Sequence, residues 1–246
     1  RRSRRRGRIG RFERKGTMGW NDLTERQLRR ITVGLRRRRV ETFVRLLDLG
    51  PDDRILDLGS EDGSYLGSFY PWPNRITLAD IHEGPMRRGA ERFGFEGWML
   101  LSGDGTVPVK DRAFDAVWCN SVIEHVTVPR SELPGMSDRE FLDRSEATQA
   151  RFAREIARIA SGYFVQTPYR HFPVETHSWC PGVQYLSQSS RYRLSQRMKK
   201  LWVKQWTADF RLYDRRRFKR HFPDATTCYT ERFLGLPKSL VAVRQR

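Results

Sequence analysis

Apolar positions in this chain alternate between short dense runs and longer helical spacings. In Arg54–Ser64, RILDLGSEDGS, residues Ile55, Leu56 and Leu58 predict a short buried strand, and Gly59 and Gly63 supply the tight turn that ends it. Comparable runs predict strands at Arg75–Ala79, Trp98–Leu101, Phe114–Cys119, Tyr163–Gln166, Thr226–Phe233 and Leu240–Val243. Before the first strand, Leu23, Leu28, Ile31, Leu35, Phe43, Leu46 and Leu47 mostly share one helical face, with Asn21 or Asp22 as cap and Gly50-Pro51 as stop. This predicts one or two helices. Further helices are expected at Tyr65–Tyr70, Pro85–Phe93, Asp138–Ala160 and Asp214–His221, and Arg191–Trp206 is a basic amphipathic stretch. Within Asp138–Ala160 the segment Ser145–Gln149 is polar, which leaves the middle of that helix open.

Strands alternating with helices predict an α/β domain with a mostly parallel sheet covered on both faces. In such sheets ligands bind outside the carboxyl ends of the strands. Three acids fall there beside glycines or loops: Asp57, Asp80 and Asp104. Asp57 can face a ligand or hold its own loop. Asp80 follows the glycine turn by roughly 20 residues, the spacing at which nucleotide-binding folds place a carboxylate for ribose hydroxyls. A lone acid at a strand end more often caps a turn, so Asp80 gains weight only together with Gly59 and Gly63.

Charge changes the picture at the two ends. The 246 residues carry a net charge of +18, divided as 16 basic and 3 acidic in residues 1–39, 15 and 22 in 40–190, and 16 and 4 in 191–246. A mildly acidic centre between basic arms points to an anionic partner, RNA or an anionic membrane surface, through residues 1–39 and 191–220. Arginine so outnumbers lysine that coding-composition bias is an alternative source of part of the same pattern. Residues 1–19 are expected to be a flexible basic arm, with too little apolar surface to offset ordering entropy. Residues 20–246 are the domain, with 20–50 as a helical cover and 167–212 as an insertion or lid on the acceptor side. No apolar run is long enough to span a bilayer and no start resembles a secretory signal, which suggests a cytoplasmic protein, peripheral to a membrane or RNA-associated. The chain begins on Arg rather than Met, so its natural start is left open. Cys119, Cys180 and Cys228 form no metal-ligand pattern, and no metal ligands are expected.

Read in order, ILDLGSEDG, ITLAD ending at Asp80, SGDGTVPVKDRAFDAVWCNSVIEHV and FLGLPKSLVAV resemble the motifs of the class I S-adenosylmethionine-dependent methyltransferases, type 11-like. The resemblance runs from about Arg54 to the end of the chain and implies a Rossmann-like sheet of seven strands, mostly parallel, the last antiparallel. It implies S-adenosylmethionine as cofactor. Asp57 and the loop of Gly59, Ser60, Glu61 and Gly63 would face its methionine part, Asp80 and Ile81 its ribose side, Asp104 and Gly105 its adenine. Asn120 would lie where the methionine group meets the substrate. Glu61 stands where the family usually has a third glycine, and its side chain would crowd the cofactor or bring a negative charge near it.

Methyl transfer from a sulfonium needs in-line placement of the nucleophile and, for a hydroxyl acceptor, a base. His171, His177 and Glu175 in TPYRHFPVETHSW, after the fifth strand, are the candidates, imidazole being the group that titrates near neutrality. Each taken alone is as well explained by loop hydrogen bonding, and His125 after Glu124 looks like a structural feature of the fourth-strand turn. The chain reads NSVI at Asn120–Ile123, not the Asn/Asp-Pro-Pro-aromatic tetrapeptide of DNA amino-methyltransferases, and it has no paired cysteines for attack on a pyrimidine. By similarity to small-molecule and glycan-pathway members, the expected reaction is O-methylation of a small metabolite, a sugar or a lipid-linked saccharide. Two alternatives stand beside it. One is an RNA methyltransferase or ribosome-assembly factor whose Tyr192, Trp202 and Trp206 stack on bases; the other is a non-catalytic binding or assembly subunit. The oligomeric state is not legible in the sequence.

Overall fold

The computed structural model describes residues 20–198 and 206–246. Chain contacts divide it into residues 1–39 and a compact unit of residues 40–246. Helix α1 (Trp20–Leu46) is a single helix. Its last turns belong to the compact unit, where Val40 and Phe43 are fully buried.

Seven strands form one sheet: β1 (Ile55–Leu58), β2 (Ile76–Asp80), β3 (Gly97–Leu100), β4 (Phe114–Asn120), β5 (Ala160–Pro168), β6 (Thr227–Phe233) and β7 (Leu236–Arg244). Their order is β3-β2-β1-β4-β5-β7-β6, and β7 alone runs against its neighbours. This is the doubly wound, Rossmann-like sheet expected from the motif order. The short apolar runs are strands because both faces are covered, so nothing forces a polar residue into every second position.

Alternation along the strands still assigns the two faces. Leu56, Leu58, Val117, Cys119, Tyr163 and Val165 share a core with Phe152 and Ile156 of α4 (Asp138–Ile159) and with Phe218 and Phe222, which lie on and just after α6 (Arg215–His221). Ile55, Ala116, Trp118 and Phe164 pack on the other face against Val40, Phe43, Leu66 of the short α2 (Ser64–Gly67) and Met86 of α3 (Glu83–Phe93). Helices thus cover both faces.

Helix α4 is continuous through its polar middle. Ser145 and Gln149 are buried, and the Gln149 amide donates to the carbonyls of Ile123 at 2.7 Å and Arg211 at 3.1 Å while its oxygen accepts from Arg217. Gln149 thus binds backbone of the neighbouring loops from inside the helix, which has no reason to break there. The 167–212 region carries α5 (Gln188–Met198) and a small core of its own around Val183, Trp206, Ala208, Phe210 and Leu212. Of the aromatics expected to stack on bases, Trp202 lies outside the described residues. Trp206 is buried in that small core and Tyr192 packs against it, so both are spent on packing. Leu201 also falls outside the described residues.

Candidate active site

The carboxyl edge of the sheet is built by three strand ends held in register: Asp57 lies opposite Leu78 and Trp118, and Asp80 opposite Leu100. At the end of β1 the chain turns through Gly59, whose backbone has φ 82° and whose N–H donates to the Ala79 carbonyl at 2.7 Å. A Cβ at Gly59 would overlap the side chain of Val122, so glycine is needed for the close approach of this loop to the turn after β4. Glu61 also adopts a left-handed backbone, φ 53°, a region that favours glycine and costs other residues about 1–2 kcal/mol. Its side chain is exposed. The position thus keeps the backbone shape of a glycine loop while carrying a carboxylate.

Asp80 pins that loop. One of its oxygens accepts from the Glu61 N–H at 2.9 Å and the other from the His82 N–H at 3.0 Å. The side chain is almost wholly buried, and each oxygen retains a second lone pair. Asp57 is fully buried. Ser60 Oγ donates to its Oδ1, whereas its Oδ2 has no hydrogen-bond partner. Burial pushes the Asp57 carboxyl up to about 7; the Ser60 hydrogen bond opposes this, and the negative charges of Asp80 and Asp62 add to it. Asp104 is exposed and holds its own turn, accepting from Ser102 Oγ at 2.7 Å, Thr106 N–H at 2.9 Å and Thr106 Oγ1 at 2.6 Å. Those bonds lower its carboxyl to about 2. Gly105, at φ 86°, is buried beside it, and Ile81 is 53 % exposed on the same edge. Asn120 ends β4 opposite Gln166 of β5.

On the other side of β4 the structure gathers four residues. Glu124 is fully buried; its Oε2 accepts from Thr167 Oγ1 at 2.9 Å, and its Oε1 makes no hydrogen bond but lies 3.7 Å from His177 Nε2. His177 Nδ1 is 2.6 Å from Glu175 Oε1, which also accepts the His177 backbone N–H at 2.8 Å. The His177 ring stacks on Phe210 and meets the His125 ring edge-on at 4.6 Å. His125 Nδ1 is buried without a hydrogen-bond partner, and burial lowers the pKa of this imidazole. For His177 burial acts the same way, but its hydrogen bonding and charge contacts with Glu124 and Glu175 outweigh it and raise the group to about 9. Glu175 is lowered to about 2, burial being overcome by the His177 bonds and charge.

Two of the three expected catalytic residues therefore come together, and His171 does not join them. It is exposed, with Nδ1 3.2 Å from the Tyr185 hydroxyl. His177 lies between two carboxylates, Glu124 and Glu175, which favour its protonated form over that of a free imidazole. The sequence reading set Glu124 and His125 aside as turn structure. Their partner His177 lies on a different loop, and tertiary contacts such as the Thr167 bond to Glu124 and the stacking on Phe210 bring the pieces together.

Residues 56–138 match the family described as methyltransferase domain. That stretch, 83 of the 246 residues, resembles the class I methyltransferases. Its fold is similar to that of geranyl diphosphate C-methyltransferase from Streptomyces coelicolor A3(2), at 12% identity and TM-score 0.56, over 96% of this chain and 86% of that one. A protein from Pyrococcus horikoshii OT3 is similar at 14% identity and TM-score 0.50, over 85% of this chain and 90% of that one. The [4+2]-cyclase SpnF is matched over 58% of this chain and 48% of its own, at 18% identity and TM-score 0.41, too loose a likeness to argue from. No curated protein sequence matches the chain. Among the described residues no helix is long and apolar enough to cross a membrane.

Proposed function

We propose that this protein is an S-adenosylmethionine-dependent methyltransferase that acts on a hydroxyl oxygen of a small metabolite, a sugar or a lipid-linked saccharide. The observation that carries the donor half is Asp57. A fully buried carboxylate with one oxygen unpartnered is costly unless a cation comes to it, and the methionine end of the donor is cationic. Around it, Gly59, Ser60, Glu61 and Gly63 offer backbone to the methionine part. Asp80 keeps lone pairs for ribose hydroxyls, Ile81 gives an apolar flank, Asp104 and Gly105 border the adenine side, and Asn120 borders the reacting methyl. When bound, the cofactor supplies an electrophilic methyl group on sulfur.

The acceptor half is read from Glu124, His177 and Glu175. His177 is the member of this set nearest to solvent, with 18 % of its side chain exposed against fully buried carboxylates. The set orients the acceptor oxygen, and a carboxylate of the set, directly or through the His177 ring, takes the hydroxyl proton as the O–CH3 bond forms and the S–CH3 bond breaks. Exposed Val174, Trp179, Tyr185 and Leu186 on the same segment suit an acceptor with an apolar part.

Calorimetric titration with S-adenosylhomocysteine tests the donor half. Micromolar to low-millimolar binding is expected, and Asp80→Asn should weaken it by about 1.5–3 kcal/mol through lost hydrogen bonds to the charged group. Absence of binding at millimolar cofactor product would leave the fold without this activity and favour a binding subunit instead.

A further inference from the structure

Glu124, His125 and His177 each offer one ligand atom, and these three atoms lie within 4.8 Å of one another. We propose that they form a binding site for one divalent transition-metal ion. Two imidazoles and one carboxylate are a borderline donor set suited to zinc, cobalt or ferrous iron rather than to magnesium or calcium, which prefer all-oxygen shells.

Three features of the surroundings suit coordination better than a plain ion pair. Glu124 has Oε2 fixed by Thr167 and presents Oε1, fully buried and without a hydrogen bond, towards His177. Oε1 and His177 Nε2 stand 3.7 Å apart, too far for a hydrogen bond and a normal separation for two atoms sharing a metal. His177 Nδ1 is engaged by Glu175, the arrangement in which a carboxylate fixes the tautomer and turns the other ring nitrogen to a metal. His125 adds a buried Nδ1 without a partner beside the same pair.

Three protein ligands leave coordination positions open, and the ligand expected there is an oxygen: a water, or a hydroxyl or diol of the acceptor. Coordination then does what the preceding section asked of this cluster, to hold the acceptor oxygen and lower the pKa of its proton. The proposal rests on reading the cluster as the acceptor end of the site. It is tested without cofactor or acceptor, so its failure and that of the methyl-transfer reading are separate results.

The full chain, stripped with a chelator, is titrated with Zn(II) by calorimetry and with Co(II) by visible absorption. One ion per chain is expected, with Co(II) bands of low-coordinate nitrogen and oxygen ligation and no thiolate charge-transfer band. Glu124→Gln and His177→Asn should each abolish the stoichiometric site. Glu175→Gln should weaken it about 10- to 100-fold. His171→Ala, at the exposed histidine outside the cluster, should leave it unchanged. Should the cluster variants not fold, the unaltered chain and His171→Ala still decide. No stoichiometric Zn(II) binding, a thiolate band pointing to Cys119, Cys180 or Cys228, retention of the ion by folded Glu124→Gln and His177→Asn, or its loss in His171→Ala would each overturn the proposal.

Discussion

Asp57 makes the fold pH-sensitive in a direction opposite to that of most carboxylates. Its folded pKa, about 7, lies above the ordinary Asp value, so the native state holds this proton more tightly than the unfolded chain does. The stabilisation is fully present below about pH 4 and is lost as pH rises through about 7; three pKa units correspond to at most about 4 kcal/mol. Urea unfolding at pH 5 and pH 8 should show the protein weaker at the higher pH, and Asp57→Asn should reduce that difference, the remainder coming from groups such as His177. A cationic ligand favours the ionised form, so cofactor-product binding near pH 6 should release a proton, read as a dependence of binding heat on buffer ionisation enthalpy. At this scale the sequence placed Asp57, the glycine loop and Asp80 at the carboxyl ends of their strands, which is where the structure has them. It did not show that Asp80 holds two backbone N–H groups, or that Glu61 occupies its glycine-like φ with the side chain in solvent. Burial and hydrogen-bond partners come from residues distant in sequence, and spacing does not carry them.

Between elements, one contact does more for the cofactor loop than the motif suggests. Helix α3 lies so close to the loop that a Cβ on Gly89 would overlap the Asp62 carbonyl, which is backbone and cannot rotate away. Gly89→Ala should cost about 1–3 kcal/mol by overpacking and should also weaken cofactor-product binding, since the displaced residue adjoins Gly63. A urea midpoint together with a binding titration separates the two effects. Gly89 reads in the sequence as a helix-weakening residue among arginines, and nothing local marks it as a packing site. The same holds for α4, whose polar middle looks like a weak helix until Ile123, Arg211 and Arg217 are seen around Gln149. Strands were easier to read. Their short apolar runs are bounded by glycines and acids, and every one of the seven falls where those runs predict, within a few residues of its observed bounds.

For the molecule as a whole, the charge split divides the chain into basic ends and a mildly acidic middle. Removing residues 1–19, which carry 9 basic side chains and 1 acidic one, should leave cofactor-product affinity unchanged while flattening the salt dependence of any RNA binding. An unchanged salt slope would remove nucleic acid from the list of partners for that arm. Sheet order has a consequence of another kind. Strand β7 is synthesised last of the seven yet sits inside the sheet, between β5 and β6, with Arg244 tied to Asp224 and its register fixed against both neighbours. During translation, β1 to β5 can assemble on the ribosome, but β5 then waits with a bare edge and β6 has no place to dock. This nascent intermediate exposes a long apolar edge strand, the template on which chains aggregate, until the final hairpin clears the exit tunnel and closes it.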